Sequence, residues 1–354
     1  MKGHNVIRIA IVGTGGMAHA HAKSFRDIRG CKLVAAVDIQ PDRARDFARR
    51  WGIPARWAFT GVNDMLGSVP CDAVSIVASD PAHAPLSLAC IAAGKHVLCE
   101  KPLATHYADA HRMAEAARKK GVVNMVNLSY RNASAIHKAA RLLRDGAIGR
   151  VMHFDASYLQ SWLVSNTWGD WRTSEGFLWR LSSRNGCKGT LGDIGVHILD
   201  LATYPIGEVA SVHCRLKNFP KAKGNRIGKY PLDANDSAVI TLEMANGALG
   251  AVHTTRWATG YANSLQLRIF GDAGAIRIDL DKSYTQLDIC RGRDVNRHAW
   301  KTIACPPTPT IYQRFIRSIR RGRGDQPDFA RGAAVQRILD ACMASDAKGA
   351  AVKL

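Results

Sequence analysis

The stretch from Val6 to Val12 is apolar apart from Arg8, and it runs directly into Gly13-Thr14-Gly15-Gly16-Met17-Ala18. A run of this length reads as a buried strand, and the glycine turn after it opens a helix expected to continue to Arg29. A second strand, expected over Lys32 to Val37, ends on Asp38, which lies 20 residues beyond Ala18. Few arrangements other than a βαβ unit accommodate strand, glycine turn, helix, strand and terminal acid in this order.

The small residues have mechanical reasons. Gly13 permits the tight turn, Gly15 allows backbone to approach a bound group closely, and Ala18 lets the helix pack on the strand. Free N–H groups at the helix N-terminus suit a pyrophosphate, and Asp38 suits the hydroxyls of an adenosine ribose. Gly13, Thr14, Gly15, Gly16, Met17 and Asp38 are therefore the candidate cofactor-binding residues of this turn. A carboxylate at Asp38 favours NAD over NADP, and Ile39 stands where an NADP-binding Arg is common. Arg43 nearby leaves NADP open.

The alternation continues downstream. Helices are expected over Pro41 to Arg50 (stopped by Gly52), Ala84 to Ala93 (stopped by Gly94) and Tyr107 to Lys120 (stopped by Gly121). Strands are expected over Asp72 to Ala78, His96 to Cys99 and Val122 to Val126. Repeated βα units make a parallel, doubly wound sheet of the Rossmann type, which binds ligands beyond the carboxyl ends of its strands. Thr14, Asp38, Ser79, Glu100 and Lys101 all fall at such ends. At a strand end Lys101 projects towards the reaction centre, where its ammonium can polarise a hydroxyl or carbonyl oxygen.

At 354 residues the chain accommodates two domains, and its 47% hydrophobic and 22% charged residues are those of a globular protein. No apolar run is long enough to span a bilayer, and the N-terminal stretch lacks a signal peptide's cleavage pattern, so no membrane partner and a cytoplasmic location are expected. Nine scattered cysteines show neither zinc-site nor redox-pair spacing, and no metal is expected. The net charge of +20 is spread along the sequence, densest at Arg314, Arg317, Arg320, Arg321 and Arg323. Without helix-turn-helix, zinc-finger or ribonucleoprotein motifs it does not point to nucleic acid; an anionic substrate or a solvated surface remain.

Asp193 and His197 stand four residues apart at the start of a helix expected over Ile194 to Tyr204 and ended by Pro205. That spacing puts both on one face, where a carboxylate can orient an imidazole that takes or gives a hydroxyl proton. The alternative is a helix cap beside a structural histidine. Asp200 is expected to cap a loop or pair with a base.

Three segments, the glycine turn, Glu100-Lys101-Pro102, and Asp193 to His197, together make the chain resemble the family of glucose-fructose oxidoreductase, inositol dehydrogenase and rhizopine-catabolism proteins (Gfo/Idh/MocA). The resemblance extends over nearly the whole chain. It implies an N-terminal Rossmann domain, a C-terminal α+β domain with an open, mostly antiparallel sheet, a nicotinamide cofactor and a carbohydrate-like substrate. It also implies His197 as general base, a cis bond before Pro102, and His83 near the nicotinamide. Ala78-Ser79 departs from the Thr-Pro common there, which puts cofactor contacts of that loop in doubt.

After residue 150 the periodicity changes to strand-like alternation, at His153 to Leu159, Ser211 to Leu216, Ala238 to Met244, Ala248 to Arg256, Leu265 to Phe270 and Ala275 to Leu280. The expected domains are 1–127, which binds dinucleotide, and 128–354, which binds substrate and mediates a homodimer or homotetramer through its open sheet. A helix over about 331–347 is expected to pack back on the first domain. Residues 158–188 form a long irregular segment holding Trp162, Trp168, Trp171 and Trp179 among several basic residues. Aromatic faces stack on sugar rings and Arg clamps hydroxyls or anions. Trp162, Trp171 and Arg172, with Arg131 at the domain junction, join Lys101, Asp193 and His197 as candidate substrate contacts.

The expectation is an NAD-dependent oxidoreductase that takes a hydride from a hydroxyl of a sugar or polyol, with His197 as acid/base, Asp193 orienting it and Lys101 on the reacting oxygen. Two other classes share the fold: glycoside-cleaving enzymes that oxidise sugar transiently with a retained NAD, and cofactor-sensing regulators. The joint presence of Lys101, Asp193 and His197 argues against a regulator.

Overall fold

The computed structural model describes residues 6–354. They divide into two compact units: one holds the chain up to Leu128 together with Pro309–Gln336, the other Ser129–Thr308 together with Arg337–Leu354.

The first unit is built on six parallel strands: β1 (Ile7–Val12), β2 (Cys31–Val37), β3 (Ala58–Phe59), β4 (Ala73–Ile76), β5 (His96–Cys99) and β6 (Asn124–Val126). Their order is β3-β2-β1-β4-β5-β6, so the sheet reverses direction of growth between β1 and β4. The connecting helices are α1 (Gly16–Arg26), α2 (Pro41–Trp51), α3 (Val62–Ser68), α4 (His83–Ala92) and α5 (Tyr107–Lys120). Helices on both faces bury β1 almost entirely, and Ile9 and Ile11 are fully inaccessible. Each such side chain contributes roughly 1.5–3 kcal/mol. Arg8 stays at the rim, paired with Asp72 at 2.7 Å.

Gly52 and Gly121 end α2 and α5 in the left-handed conformation, as their place after each helical run requires. Helix α1 stops at Arg26, three residues early. β3 and α3 were not legible, because β3 has only two residues and α3 only seven.

The second unit carries α6 (Ser134–Arg144), α7 (Glu175–Leu178), α8 (Val196–Ile206) and a nine-stranded sheet. Its strands are β7 (Val151–Gln160), β8 (Val209–Lys217), β11 (Ser237–Met244), β12 (Leu249–Thr255), β13 (Asn263–Gly271), β14 (Gly274–Asp279), β15 (Gln286–Arg291), β16 (Lys301–Ala304) and β17 (Val352–Lys353). β9 (Arg226–Ile227) and β10 (Tyr230–Pro231) form a separate small hairpin. The order is β16-β15-β14-β13-β7-β12-β11-β8-β17, antiparallel except where β7 meets β12. β11 shows why one face is covered: Ala238, Ile240, Leu242 and Met244 are buried while Val239, Thr241 and Glu243 alternate outward.

The sequence reading gave everything after residue 127 to the second domain, and the structure corrects this. The arginine-rich stretch near the C-terminus is α9 (Ile311–Arg321), whose Ile311, Phe315 and Ile316 lie in the core of the first unit. Arg314, one of the five arginines of this densest basic cluster, is buried and forms a bidentate pair with Asp325. Apolar residues at helical spacing outweigh the arginines between them. The last helix, α10 (Phe329–Lys348), begins in the first unit and ends in the second. Among the described residues no helix is long and apolar enough to cross a membrane.

Candidate active site

In the first unit the glycine turn leaves β1 beside the loop that follows β4. Gly13 has φ +86°, and a Cβ there would sit 2.6 Å from the Ala78 nitrogen, so only glycine fits. At Gly15 and Gly16 an added Cβ would meet nothing within 4 Å, so this backbone faces open space. The first turn of α1 has no acidic residue, and Met17 within it is half exposed. Asp38 is held by the turn itself: its Oδ2 accepts from the Thr14 N–H and hydroxyl, both at 2.9 Å, and its Oδ1 from the Gln40 N–H at 3.0 Å. A cavity of about 410 Å³ alongside is lined by Gly13, Gly15, Asp38, Arg43 and Ser79 among others. An open helix N-terminus, a closely approachable backbone and a fixed carboxylate fit a dinucleotide.

Glu100 and Lys101 follow β5, and the Lys101–Pro102 peptide is cis. The Glu100 carboxylate is buried in a polar cage. His21 Nε2 lies 2.8 Å from Oε1, the Asn127 amide donates to the same oxygen at 2.6 Å, and the Lys101 N–H donates to Oε2 at 3.0 Å. His21 in turn meets Ser75 at 2.8 Å, and Asn127 reaches the Tyr312 hydroxyl at 3.2 Å. Burial alone would raise the carboxyl's pKa, but the hydrogen bonds from His21 and Asn127, with the charge of Lys101, outweigh it and hold it at about 2. The carboxylate is thereby a fixed anion gripping the Lys101 backbone.

His83 braces this turn from the other side. Its Nδ1 is 2.7 Å from the Pro102 carbonyl and its Nε2 is 3.0 Å from the Ala78 carbonyl. Two carbonyl acceptors require two N–H donors, so the ring is an imidazolium. Burial opposes that charge, but the Cys99 sulfur, Asp80 and the Pro102 carbonyl raise its pKa to about 10. The imidazole therefore ties two ligand-side loops together rather than offering a free nitrogen.

In the second unit Asp193 lies in a π-helical turn, Leu191–Gly195, that runs straight into α8. It is thus not a helix cap, and α8 starts later than expected and includes Pro205 in its last turn. Such π turns are frequent at functional sites. The Asp193 carboxylate accepts from Arg256 Nη2 at 3.0 Å, with Arg180 Nε at 3.7 Å. The buried Arg256 guanidinium also donates to the Arg180 carbonyl and lies 4.8 Å from the Trp162 ring centre. His197 packs edge-on against Tyr130, ring centres 5.0 Å apart.

Three expected substrate contacts are corrected. Arg131 is buried, with Nε and Nη2 on the two oxygens of Asp200 at 2.6 and 2.9 Å and its guanidinium against Tyr204. This is a structural pair, and it gives Asp200 the base that the sequence reading offered it. Trp162 and Trp171 are buried among Leu163, Leu178, Leu181 and Leu232, with their indole N–H groups spent on Gln160 and Leu163. They form a small core under the irregular segment and present no open face. Arg172 is exposed and lies over Trp171, near Asp170.

Sequence reasoning missed His21 and Arg256. Both had a signal in their periodicity. His21 shares the buried face of α1 with Ala18, Ala22 and Phe25, and Arg256 continues the inward parity of Val252 and Thr254. A charged or titratable residue on an inward face implies a polar partner there.

A doubly wound sheet, a glycine turn fitted to a dinucleotide and a braced lysine at the end of β5 define an NAD-dependent oxidoreductase. Residues 7–128 match the oxidoreductase family with NAD-binding Rossmann fold, and residues 136–277 match the GFO/IDH/MocA C-terminal domain. The chain belongs to the Gfo/Idh/MocA family, and its relatives include levoglucosan and inositol dehydrogenases. It is 27% identical to levoglucosan dehydrogenase of Pseudarthrobacter phenanthrenivorans over 97% of this chain and 96% of the relative. It is likewise 27% identical to inositol 2-dehydrogenase of Rubrobacter xylanophilus, over 98% and 93%. Among solved structures, levoglucosan dehydrogenase with NADH and L-sorbose superposes with a TM-score of 0.86, at 27% identity and 99% coverage of both chains. Its complex with NADH and levoglucosan gives 0.84, at 28% identity and coverage of 98% and 99%.

Proposed function

We propose that this enzyme oxidises a secondary hydroxyl of a sugar, anhydrosugar or cyclic polyol, with His197 as general base and Lys101 as the group that polarises the same oxygen. The observation that carries the reading is the setting of Lys101. It stands at the carboxyl end of β5, with its N–H gripped by the ionised Glu100 and its turn braced by His83. A backbone fixed this way sets the point from which the Lys101 side chain extends, and an ammonium delivered from there can stabilise a developing alkoxide.

Each residue then has a task. Gly13, Gly15 and the start of α1 bind the pyrophosphate, and Asp38 takes the ribose hydroxyls. Ser79 lines the same cavity. Bound NAD supplies the hydride acceptor, which is the cofactor's own chemistry. Lys101 donates a hydrogen bond to the substrate oxygen, and His197 removes the proton from it. Asp193, clamped by Arg256, keeps a negative charge near His197 that favours the imidazolium formed when the proton arrives. The exposed Val239 and Leu249 on the outer face of the second sheet support self-association through that face.

A panel of levoglucosan, inositols and common aldoses, followed by NADH absorbance, tests the reading. NADH formation with at least one neutral polyhydroxylated compound is expected. Glycoside cleavage without net NADH, or silence across the panel with NAD bound, would count against it.

A further inference from the structure

Beside His197 the second unit holds three polar side chains in a closed ring. The Tyr158 hydroxyl donates to Asn263 Oδ1 at 2.8 Å, and the Asn263 amide donates to the Tyr130 oxygen at 2.9 Å. The Tyr130 and Tyr158 oxygens are 2.6 Å apart. Because Tyr158 has spent its only proton on Asn263, Tyr130 must be the donor in that last bond. Each group thus donates once and accepts once around the ring. The amide cannot be reversed, since Gln160 also donates to Asn263 Oδ1 at 2.8 Å, and Gln160 is itself oriented by the Trp162 N–H at 3.0 Å. Strand register produces the arrangement: Asn263 opposes Gln160, and Leu265 opposes Tyr158, across β13 and β7.

The ring leaves two valences over, the second N–H of Asn263 and one lone pair on Tyr130. Asn263 is exposed and Tyr130 half-buried. One donor next to one acceptor is the complement of a hydroxyl group, which offers one of each. No member of the ring is charged, and burial together with Tyr130 pushes the Tyr158 phenol far above its ordinary pKa, so it stays neutral.

We propose that Tyr130 and Asn263, locked by Tyr158, form a subsite that reads a second hydroxyl of the substrate, on a carbon near the one that reacts. This deepens the dehydrogenase reading and rests on it. The consequence is a preference for neutral polyols over phosphate, sulfonate or uronate analogues. Trp162 and Gln160 contribute to specificity by holding Asn263 rather than by touching substrate.

The test compares the wild type with N263A and Y130F on an oxidised polyol and its singly deoxygenated analogues. In the wild type, removing one particular hydroxyl should lower kcat/KM roughly threefold to tenfold, the worth of a net hydrogen bond to neutral, partly exposed groups. In both variants that hydroxyl should cease to matter, with KM raised and kcat close to wild type. Equal melting temperatures show that the variants fold. Discrimination among the analogues that survives in both variants overturns the subsite. A wild type that oxidises nothing on the panel counts against the dehydrogenase reading instead. Calorimetric binding of the same polyols then decides the subsite separately, since N263A must still weaken it and unchanged affinity overturns it.

Discussion

Arg256 Nη2 donates to Asp193 Oδ2 at 3.0 Å from a fully buried guanidinium, so the carboxylate four residues before His197 is held by the residue that follows β12, which also donates to the Arg180 carbonyl of the irregular segment. The pair couples the stability of that segment to the charge beside the proposed base.

Replacing Arg256 with Met leaves the largely buried Asp193 carboxylate without its closest cation, with Arg180 at 3.7 Å remaining. We expect a loss of about 2 kcal/mol in stability, less than for a fully buried pair because Asp193 is partly solvated. The kcat/KM should fall at least about tenfold. Adding D193N to R256M should recover much of the stability, because the poorly compensated charge is gone. Thermal denaturation of the four proteins checks this, and strictly additive effects would show the two residues to be uncoupled.

Two glycines of the turn should fail differently. G13A forces a Cβ into the backbone at Ala78 and a residue other than glycine into positive φ, so its melting temperature should drop with a cost of about 1–2 kcal/mol or more. G15A has open space around the new methyl, so it should melt like wild type yet lose NADH affinity in a fluorescence titration. Normal affinity in G15A would contradict the placement of the pyrophosphate.

Glu100 makes a prediction about acid. Its pKa in the folded enzyme, about 2, lies below the ordinary 4.5. The stabilisation it contributes is therefore present above pH 4.5 and is lost as pH falls towards 2. E100Q should be less stable than wild type at neutral pH and should show a shallower decline between about pH 5 and pH 2. Urea midpoints measured across that range check it; parallel curves would mean that the cage does not hold the ionised form.

Asp38 sets the cofactor. D38A removes the acceptor for ribose hydroxyls and the repulsion of a 2′-phosphate, and leaves Arg43 lining the same cavity. We expect NAD affinity to fall roughly tenfold, the worth of a hydrogen bond to a charged group, and the NADP to NAD preference to rise. A ratio that does not move would place the ribose elsewhere.

The first domain was legible because its signals are local: an apolar strand of seven residues, a glycine turn, an acid at fixed spacing, glycines closing helices. The nine-stranded sheet was legible strand by strand through alternation, but β15 and the edge strand β16 were not, since Gln286–Arg291 and Lys301–Ala304 are short and partly polar. The return of Ile311–Arg321 to the first unit was hidden by its arginines. Of the proposed catalytic residues, Lys101, Asp193 and His197 stood out by motif. His21, Arg256 and the Tyr130–Tyr158–Asn263 ring did not, because their partners lie from 28 to 133 positions away in the chain. Trp162 and Trp171 misled for a related reason: composition shows that a segment is aromatic, and only packing shows which rings face inward.

The most direct measurement is the turnover of K101A with saturating NAD on whichever polyol the wild type oxidises, beside its NADH affinity. Loss of a group that stabilises charge on the reacting oxygen predicts a fall in kcat of roughly 10²–10⁴, with NADH affinity little changed. Near-normal turnover by K101A would contradict the account at its centre.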